Sequence, residues 1–214
     1  LKQYIEAGDL GDIYLGKCGW VRRSGIPGMG GWFTTKAMSG GGPLIDLGVH
    51  ALDLCWWLMD NFRPVSVSSC SYAKFGPQGL GGGSWGTAVP GGPFDVEDLA
   101  AALIRFENGA TAFLEVSWAA HVGMGSFYSQ LMGEKAGLSL DPPTIFSLEH
   151  GQEIDKTLSA DSPDVMEAEH QHLHDCIVNG GTPMPSAEQG LAVQAVLDGI
   201  RKSAASGDAV AVEL

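Results

Sequence analysis

The dipeptide Asn108-Gly109, set between two apolar runs, restricts the fold of this chain more than any other feature. Asn and Gly both tolerate the positive φ angles of a tight hairpin turn whose twist matches that of paired antiparallel strands. Beyond the turn, Ala112, Leu114, Val116 and Trp118 point one way and Thr111, Phe113, Glu115 and Ser117 the other. That period of two belongs to a strand with one buried face. Val96–Phe106 reads as its hairpin partner. Further strands are expected over Asp12–Val21, Val65–Phe75, Ser126–Met132, Leu138–Leu140 and Ile145–Leu148, the later ones interrupted by Gly133 and Pro142-Pro143. Ala209–Leu214 is expected to form an edge strand.

Helices group apart from these strands. The opening LKQYIEAGDLG reads as the end of a helix, with Gly8 at a left-handed C-terminal position. Leu44–Met59 is apolar almost all round and reads as a largely buried helix. Near the C-terminus, Ser162-Pro163 offers an N-cap with proline at the first helical position, and Asn179-Gly180 ends that helix. Ser186 with Gln189 forms a capping box for a last helix reaching about Ser206. Residues 22–42 and 76–93 are rich in Gly and Pro and read as two long, flexible loops. Strands and helices segregated in this way argue an α+β domain, with no internal repeat.

Composition narrows the function. The 214 residues are 44% hydrophobic and 17% charged, which suits one large folded domain and argues against disorder. A formal charge of −13 opposes binding to nucleic acid or to an anionic membrane surface. No apolar run approaches the ~18 residues of a membrane span. Cys18, Cys55, Cys70 and Cys176 are scattered, as expected for reduced thiols in a cytoplasmic protein. The chain begins at Leu1, with neither Met nor signal peptide, and is expected to be part of something longer.

Chemistry concentrates in GGGPLIDLGVHALDLCWWLMD, residues 40–60. At about 100° per residue, Asp46, His50, Asp53 and Trp57 share one stripe of an otherwise apolar helix. Such a stripe must face water, a partner or a site, because unpaired buried polar groups are costly. A carboxylate one turn from an imidazole can hydrogen-bond and orient it for general acid–base work. The competing reading makes Asp46 a helix cap and His50 a satisfied, half-buried histidine. Asp53 is expected to be structural, tied to backbone or to a basic side chain. Trp32 and Lys36, just before this stretch, are candidates for substrate contact by stacking and hydrogen bonding. HQHLH places His170 and His174 at a spacing that can chelate zinc, and His170 is the better candidate for a single pocket-lining histidine. The glycine loop 76–93 lacks the GK[ST] ending of a phosphate cradle.

GGGPLIDLGVHALD resembles the GGG-x-L-x-D-x-G-x-H-x-x-D signature of the Gfo/Idh/MocA oxidoreductases, which include glucose–fructose oxidoreductase and inositol dehydrogenase. LKQYIEAGDLGDI, VEDLAAALIRFENGATAFLEVSW, LMGEKAGLSL and the stretch from HDCIVNGG to the C-terminus are similar to further family segments in the same order. The resemblance implies a large, open, mainly antiparallel sheet with helices on one face. It also implies hydride transfer between NAD or NADP and a hydroxyl carbon of a sugar, cyclitol or related polyol. His50 is then the expected general acid–base and Asp46 the residue that binds substrate and supports it.

Two family elements are missing from this sequence: a glycine-rich Rossmann turn and a Glu-Lys-Pro segment. Residues 1–214 therefore read as a single substrate-binding and oligomerisation domain of a longer enzyme, its NAD or NADP bound by an N-terminal domain outside this chain. No cofactor-binding residue and no metal ligand is assigned here, and the chain alone is expected to be inactive. Expected partners are a small sugar or polyol and a second copy, in a homodimer or tetramer formed through the sheet. A non-catalytic sugar-binding or oligomerisation module, or a metal-binding protein using the histidine cluster, is the alternative.

Overall fold

The computed structural model describes residues 1–123, 125–159 and 164–214. Among these residues nine strands form one sheet in the order β8-β7-β6-β5-β1-β4-β3-β2-β9. They are β1 (Ile13–Val21), β2 (Pro64–Tyr72), β3 (Leu99–Phe106), β4 (Thr111–Ser117), β5 (Ser126–Gly133), β6 (Ala136–Ser139), β7 (Thr144–Glu149), β8 (Gln152–Thr157) and β9 (Val210–Ala211). Every neighbouring pair is antiparallel except β1 and β4, which run parallel in the centre. The fold is the expected large, mainly antiparallel sheet.

Among the described residues five α-helices accompany it: α1 (Lys2–Glu6), α2 (Lys36–Ser39), α3 (Val49–Met59), α4 (Val165–Asn179) and α5 (Ala187–Ser206). The alternation along β4 divides the two faces of the sheet. Ala112, Leu114 and Val116 are fully buried, whereas Phe113 is 49% exposed. The buried side continues through Cys18, Ala102, Ile104, Val67 and Leu131 and packs against Leu52, Cys55, Trp56, Val193, Val196 and Ile200 of α3 and α5. Ser117 departs from the pattern. It is buried at the strand end, where its hydroxyl accepts from the Arg22 amide at 3.2 Å and donates to the Arg22 carbonyl at 3.1 Å.

Several local expectations meet a different arrangement. The helix expected from Leu44 starts with a π turn over Leu44–Gly48 before α3 proper. The expected loop 22–42 contains the short helix α2. Ser162 and Pro163 lie outside the described residues, and α4 is capped by Asp164, whose carboxylate accepts the amides of Met166 and Glu167. The capping box of Ser186 and Gln189 on α5 is formed as expected.

The two glycine-rich loops are laced together rather than free. Backbone bonds run from the Gly25 and Ile26 amides to the Gly81 carbonyl, from Gly83 to Ile26, from Gly28 to Trp85, and from Val89 to Met29, all at 2.8–2.9 Å. Glycine allows that approach: a Cβ on Gly30, where φ is +77°, would lie 2.2 Å from the Val89 carbonyl oxygen.

Candidate functional site

The site begins with the DVED segment, residues 95–98, which leads into β3. Its carboxylates cap three separate backbone segments. Asp95 accepts the Lys36 amide at the start of α2 (2.6 Å). Glu97 accepts the amides of Gly42 (2.9 Å) and Leu44 (3.1 Å). Asp98 accepts the amides of Lys74, Phe75 and Gly76 at 2.7, 2.6 and 3.0 Å. Negative charge at the unpaired amides of a helix start is favourable. Glu97 thus fixes where the π turn begins, and Gly42 is needed because a Cβ there would sit 2.0 Å from the Glu97 carbonyl oxygen.

Asp46 lies within this π turn and His50 on the first turn of α3. Irregular π turns recur at functional positions because they shift side chains round the helix axis. Asp46 and His50 line one cavity of ≈ 270 Å³ together with Trp20, Arg22, Gly25, Pro27, Leu47 and Trp85. That size is near the lower end of the about 300–1,000 Å³ usual for small-molecule sites. Larger hollows lie elsewhere, one of ≈ 490 Å³ beside β5–β8 and others of ≈ 510 and ≈ 610 Å³, and Asp46 and His50 line none of these three.

The expected hydrogen bond between Asp46 and His50 is not formed. The Trp118 indole N–H, fully buried at the end of the sheet's central hairpin, donates to Asp46 Oδ2 at 2.8 Å. Asp46 Oδ1 has no hydrogen-bond partner among the described residues. His50 is exposed and lies edge-on to Trp20, with centroids 6.3 Å apart. The Arg22 guanidinium stacks 4.4 Å over the Trp20 ring, and Phe127 packs against Trp20 at 5.2 Å. The wall therefore carries an acceptor, an imidazole, a cation and aromatic rings.

Other singled-out residues stand apart from this cavity. Trp32 is 51% exposed and packs edge-on to Phe33 (4.9 Å). Lys36 borders a separate hollow with Asp95, Glu97 and Arg201. His170 is exposed on α4, a helix without buried residues, and neither it nor His121, which sits edge-on to Phe75 (4.8 Å), lines the cavity. His172 Nε2 accepts the Met184 amide at 2.9 Å. Among the described residues no group of three His, Cys, Asp or Glu is placed to hold a metal ion. Trp20, Arg22, Trp85 and Trp118 complete the site. In the sequence Arg22 is marked only by its place at the start of the loop before the motif, and Trp85 only as a single tryptophan within a glycine run.

Asp53 does not have the partner expected of it: no hydrogen bond or ion pair reaches its side chain among the described residues. Burial pushes its carboxyl above the ordinary value, and the nearby His50 opposes that rise. A proton binds more tightly to the folded than to the unfolded form, so this group favours folding most below the ordinary carboxylate range. The contribution is lost as pH rises through the folded value. Asp53→Asn should therefore raise the melting temperature slightly at neutral pH and leave it unchanged at strongly acidic pH. Thermal melts at both pH values test this, and a lower melting temperature at neutral pH would contradict it.

Comparison with known proteins supplies the family. The GFO/IDH/MocA C-terminal domain family matches residues 1–139. D-Glucoside 3-dehydrogenase of Escherichia coli strain K12 is 33% identical over 98% of this chain and 60% of its own length. Levoglucosan dehydrogenase of Pseudarthrobacter phenanthrenivorans is 26% identical over 76% of this chain and 42% of its own length. The solved structure of a levoglucosan dehydrogenase in complex with NADH and levoglucosan superposes with a TM-score of 0.81 at 21% identity, over 100% of this chain and 62% of that one. The present chain thus spans about three-fifths of the length of the glucoside dehydrogenase and of the solved levoglucosan dehydrogenase. In sequence match, sheet and helix arrangement alike, the chain belongs to the GFO/IDH/MocA C-terminal domain family.

Proposed function

We propose that this chain is the substrate-side domain of an NAD(P)-dependent dehydrogenase that oxidises a hydroxyl carbon of a sugar or related polyol. The observation that carries this reading is the convergence of Asp46 and His50 on one cavity with Trp20, Arg22 and Trp85. Relatives named for glucoside and levoglucosan oxidation support the substrate class.

The chain's own residues do not fit a dinucleotide. Its glycine clusters are engaged in loop-to-loop backbone contacts and in the entry to the π turn, not in a strand–turn–helix phosphate cradle. The nicotinamide would thus be held by another domain of the whole enzyme, where it supplies an acceptor for the hydride. The residues described here manage the proton. Asp46 Oδ1 accepts a hydrogen bond from a substrate hydroxyl, while Trp118 holds Oδ2. An imidazole nitrogen of His50 takes the O–H proton as the C–H hydrogen leaves with its electron pair, and the carbon becomes a carbonyl. Arg22 donates to neighbouring hydroxyl oxygens without moving a proton.

The whole enzyme should reduce NAD or NADP in the presence of a sugar or polyol from a panel of pyranosides, cyclitols and alditols. No reduction with any of them would sink the reading. The isolated chain should give no heat with NADH in calorimetry, and low-micromolar binding would show that a nucleotide site lies within it.

Assembly and location form part of the same proposal. On the sheet face away from α3 and α5, Phe113 is half exposed and the Tyr128 phenol donates to Glu115 at 2.8 Å. Burial, then the Glu115 carboxylate, push that phenol far above its ordinary value. This mixed apolar and polar face suits association of two copies through their sheets. Four free cysteines accord with a reducing, cytoplasmic setting. No helix among the described residues is long and apolar enough to cross a membrane.

A further inference from the structure

We infer that Trp85 is the stacking platform of the substrate subsite, and that it selects a closed sugar ring over an open-chain polyol; this rests on the site reading above. Trp85 lines the cavity beside Asp46 and His50, yet its side chain is 66% exposed. A tryptophan so exposed would normally be swept about by a mobile loop, but its backbone is fixed. The Trp85 carbonyl accepts the Gly28 amide at 2.9 Å, and the flanking Gly83 and Val89 amides bond to Ile26 and Met29. A Cβ on Gly86 would lie 2.9 Å from the Gly28 nitrogen, so the two backbones meet in close contact at that point. Phe33 packs against the indole at 4.9 Å with a 58° tilt.

The loops therefore present one indole on a fixed backbone, largely stripped of protein cover, on the same cavity as a carboxylate acceptor and an imidazole. A pyranose ring matches that arrangement. Its axial C–H bonds form an apolar patch that covers an aromatic surface, while its equatorial hydroxyls project from the rim toward Asp46, His50 and Arg22. An open-chain alditol has hydroxyls on every side and no persistent apolar face. Stacking contributes equally to ground state and transition state, so its loss should appear in KM more than in kcat.

The test uses the whole enzyme with methyl glucopyranoside and D-glucitol as probes, and the variants Trp85→Phe, Trp85→Leu and His50→Ala. Native enzyme should favour the pyranoside. Trp85→Leu should raise KM for it about tenfold, with kcat within about threefold of native, and Trp85→Phe should restore most of the loss. Unchanged KM in Trp85→Leu overturns the inference, as does equal loss in the leucine and phenylalanine variants, or a native preference for D-glucitol. His50→Ala separates the two claims. If it abolishes turnover while Trp85→Leu changes nothing, the site stands and the platform does not. If His50→Ala leaves turnover intact, the site reading itself fails.

Discussion

Replacing His50 with alanine in the whole enzyme should lower kcat by about 10²- to 10⁴-fold, the usual worth of a positioned general acid–base. The fold should survive. His50 is solvent-exposed and, among the described residues, accepts no backbone amide, so the truncation removes an imidazole and its edge contact with Trp20 but opens no buried cavity. Asp46→Asn is the companion variant. It preserves shape and leaves an oxygen to receive the Trp118 N–H, but removes the charge proposed to receive a substrate hydroxyl. Activity should fall with both KM and kcat affected. Asp53 supplies the internal control, because it lies outside the cavity lining. Steady-state kinetics on the three variants, with circular dichroism to confirm folding, decide the matter. If Asp53→Asn abolishes turnover while His50→Ala leaves kcat within about twofold of native, the residues are wrongly assigned and the polar stripe is a capping and packing feature.

That stripe shows what could and could not be read from the chain alone. Asp46 and His50 stood out because polar residues on an apolar helix need a reason to be there, and both do reach the cavity. Asp53 and Trp57 keep to the His50 side of the regular helix α3 but lie about one and two turns farther along it, and neither lines the cavity; the π turn at Leu44–Gly48 shifts Asp46 alone relative to them. Nothing local marks such a turn. It is imposed by Glu97, fifty-odd residues away, which takes the Gly42 and Leu44 amides.

The same division runs through the sheet. The hairpin at Asn108-Gly109 was legible because its turn chemistry and alternation agree, and Gly109 takes φ +86° as that turn needs. β3 starts at Leu99 rather than Val96 because Asp95, Glu97 and Asp98 are held by other segments through their carboxylates. β8 escaped notice for a different reason: all six of its residues are exposed, so it has no buried face to impose alternation. The central parallel pairing of β1 with β4 joins segments nearly a hundred residues apart, and local periodicity carries no record of it. The glycine loops misled most. Their composition matches a flexible linker, but the glycines serve close backbone packing, which only the folded arrangement reveals.

Asp98→Ala should cost more stability than any other single carboxylate change in the domain. Asp98 is 1% exposed, and its Oδ2 gathers the amides of Lys74, Phe75 and Gly76 within 3.0 Å. Its own backbone is committed as well: the Asp98 amide donates to the Tyr72 carbonyl at 2.8 Å, and its carbonyl accepts the Trp118 amide at 3.0 Å. Truncation leaves the three amides of a buried turn without their acceptor. Each unsatisfied buried donor costs about 1–3 kcal/mol, and the chain can turn some of them toward water, so a loss of about 3–5 kcal/mol is expected. For a domain of this size that is a fall of roughly 10–15 °C in Tm. Asp98→Asn keeps one oxygen in place and should lose distinctly less. The 73–78 segment leads directly into the loop that carries Trp85, so substrate affinity should weaken in the alanine variant even below its melting temperature. Urea unfolding of the three proteins measures the first effect and KM the second. A loss below about 1 kcal/mol in Asp98→Ala would mean that water satisfies those amides and that the carboxylate does not organise the loop.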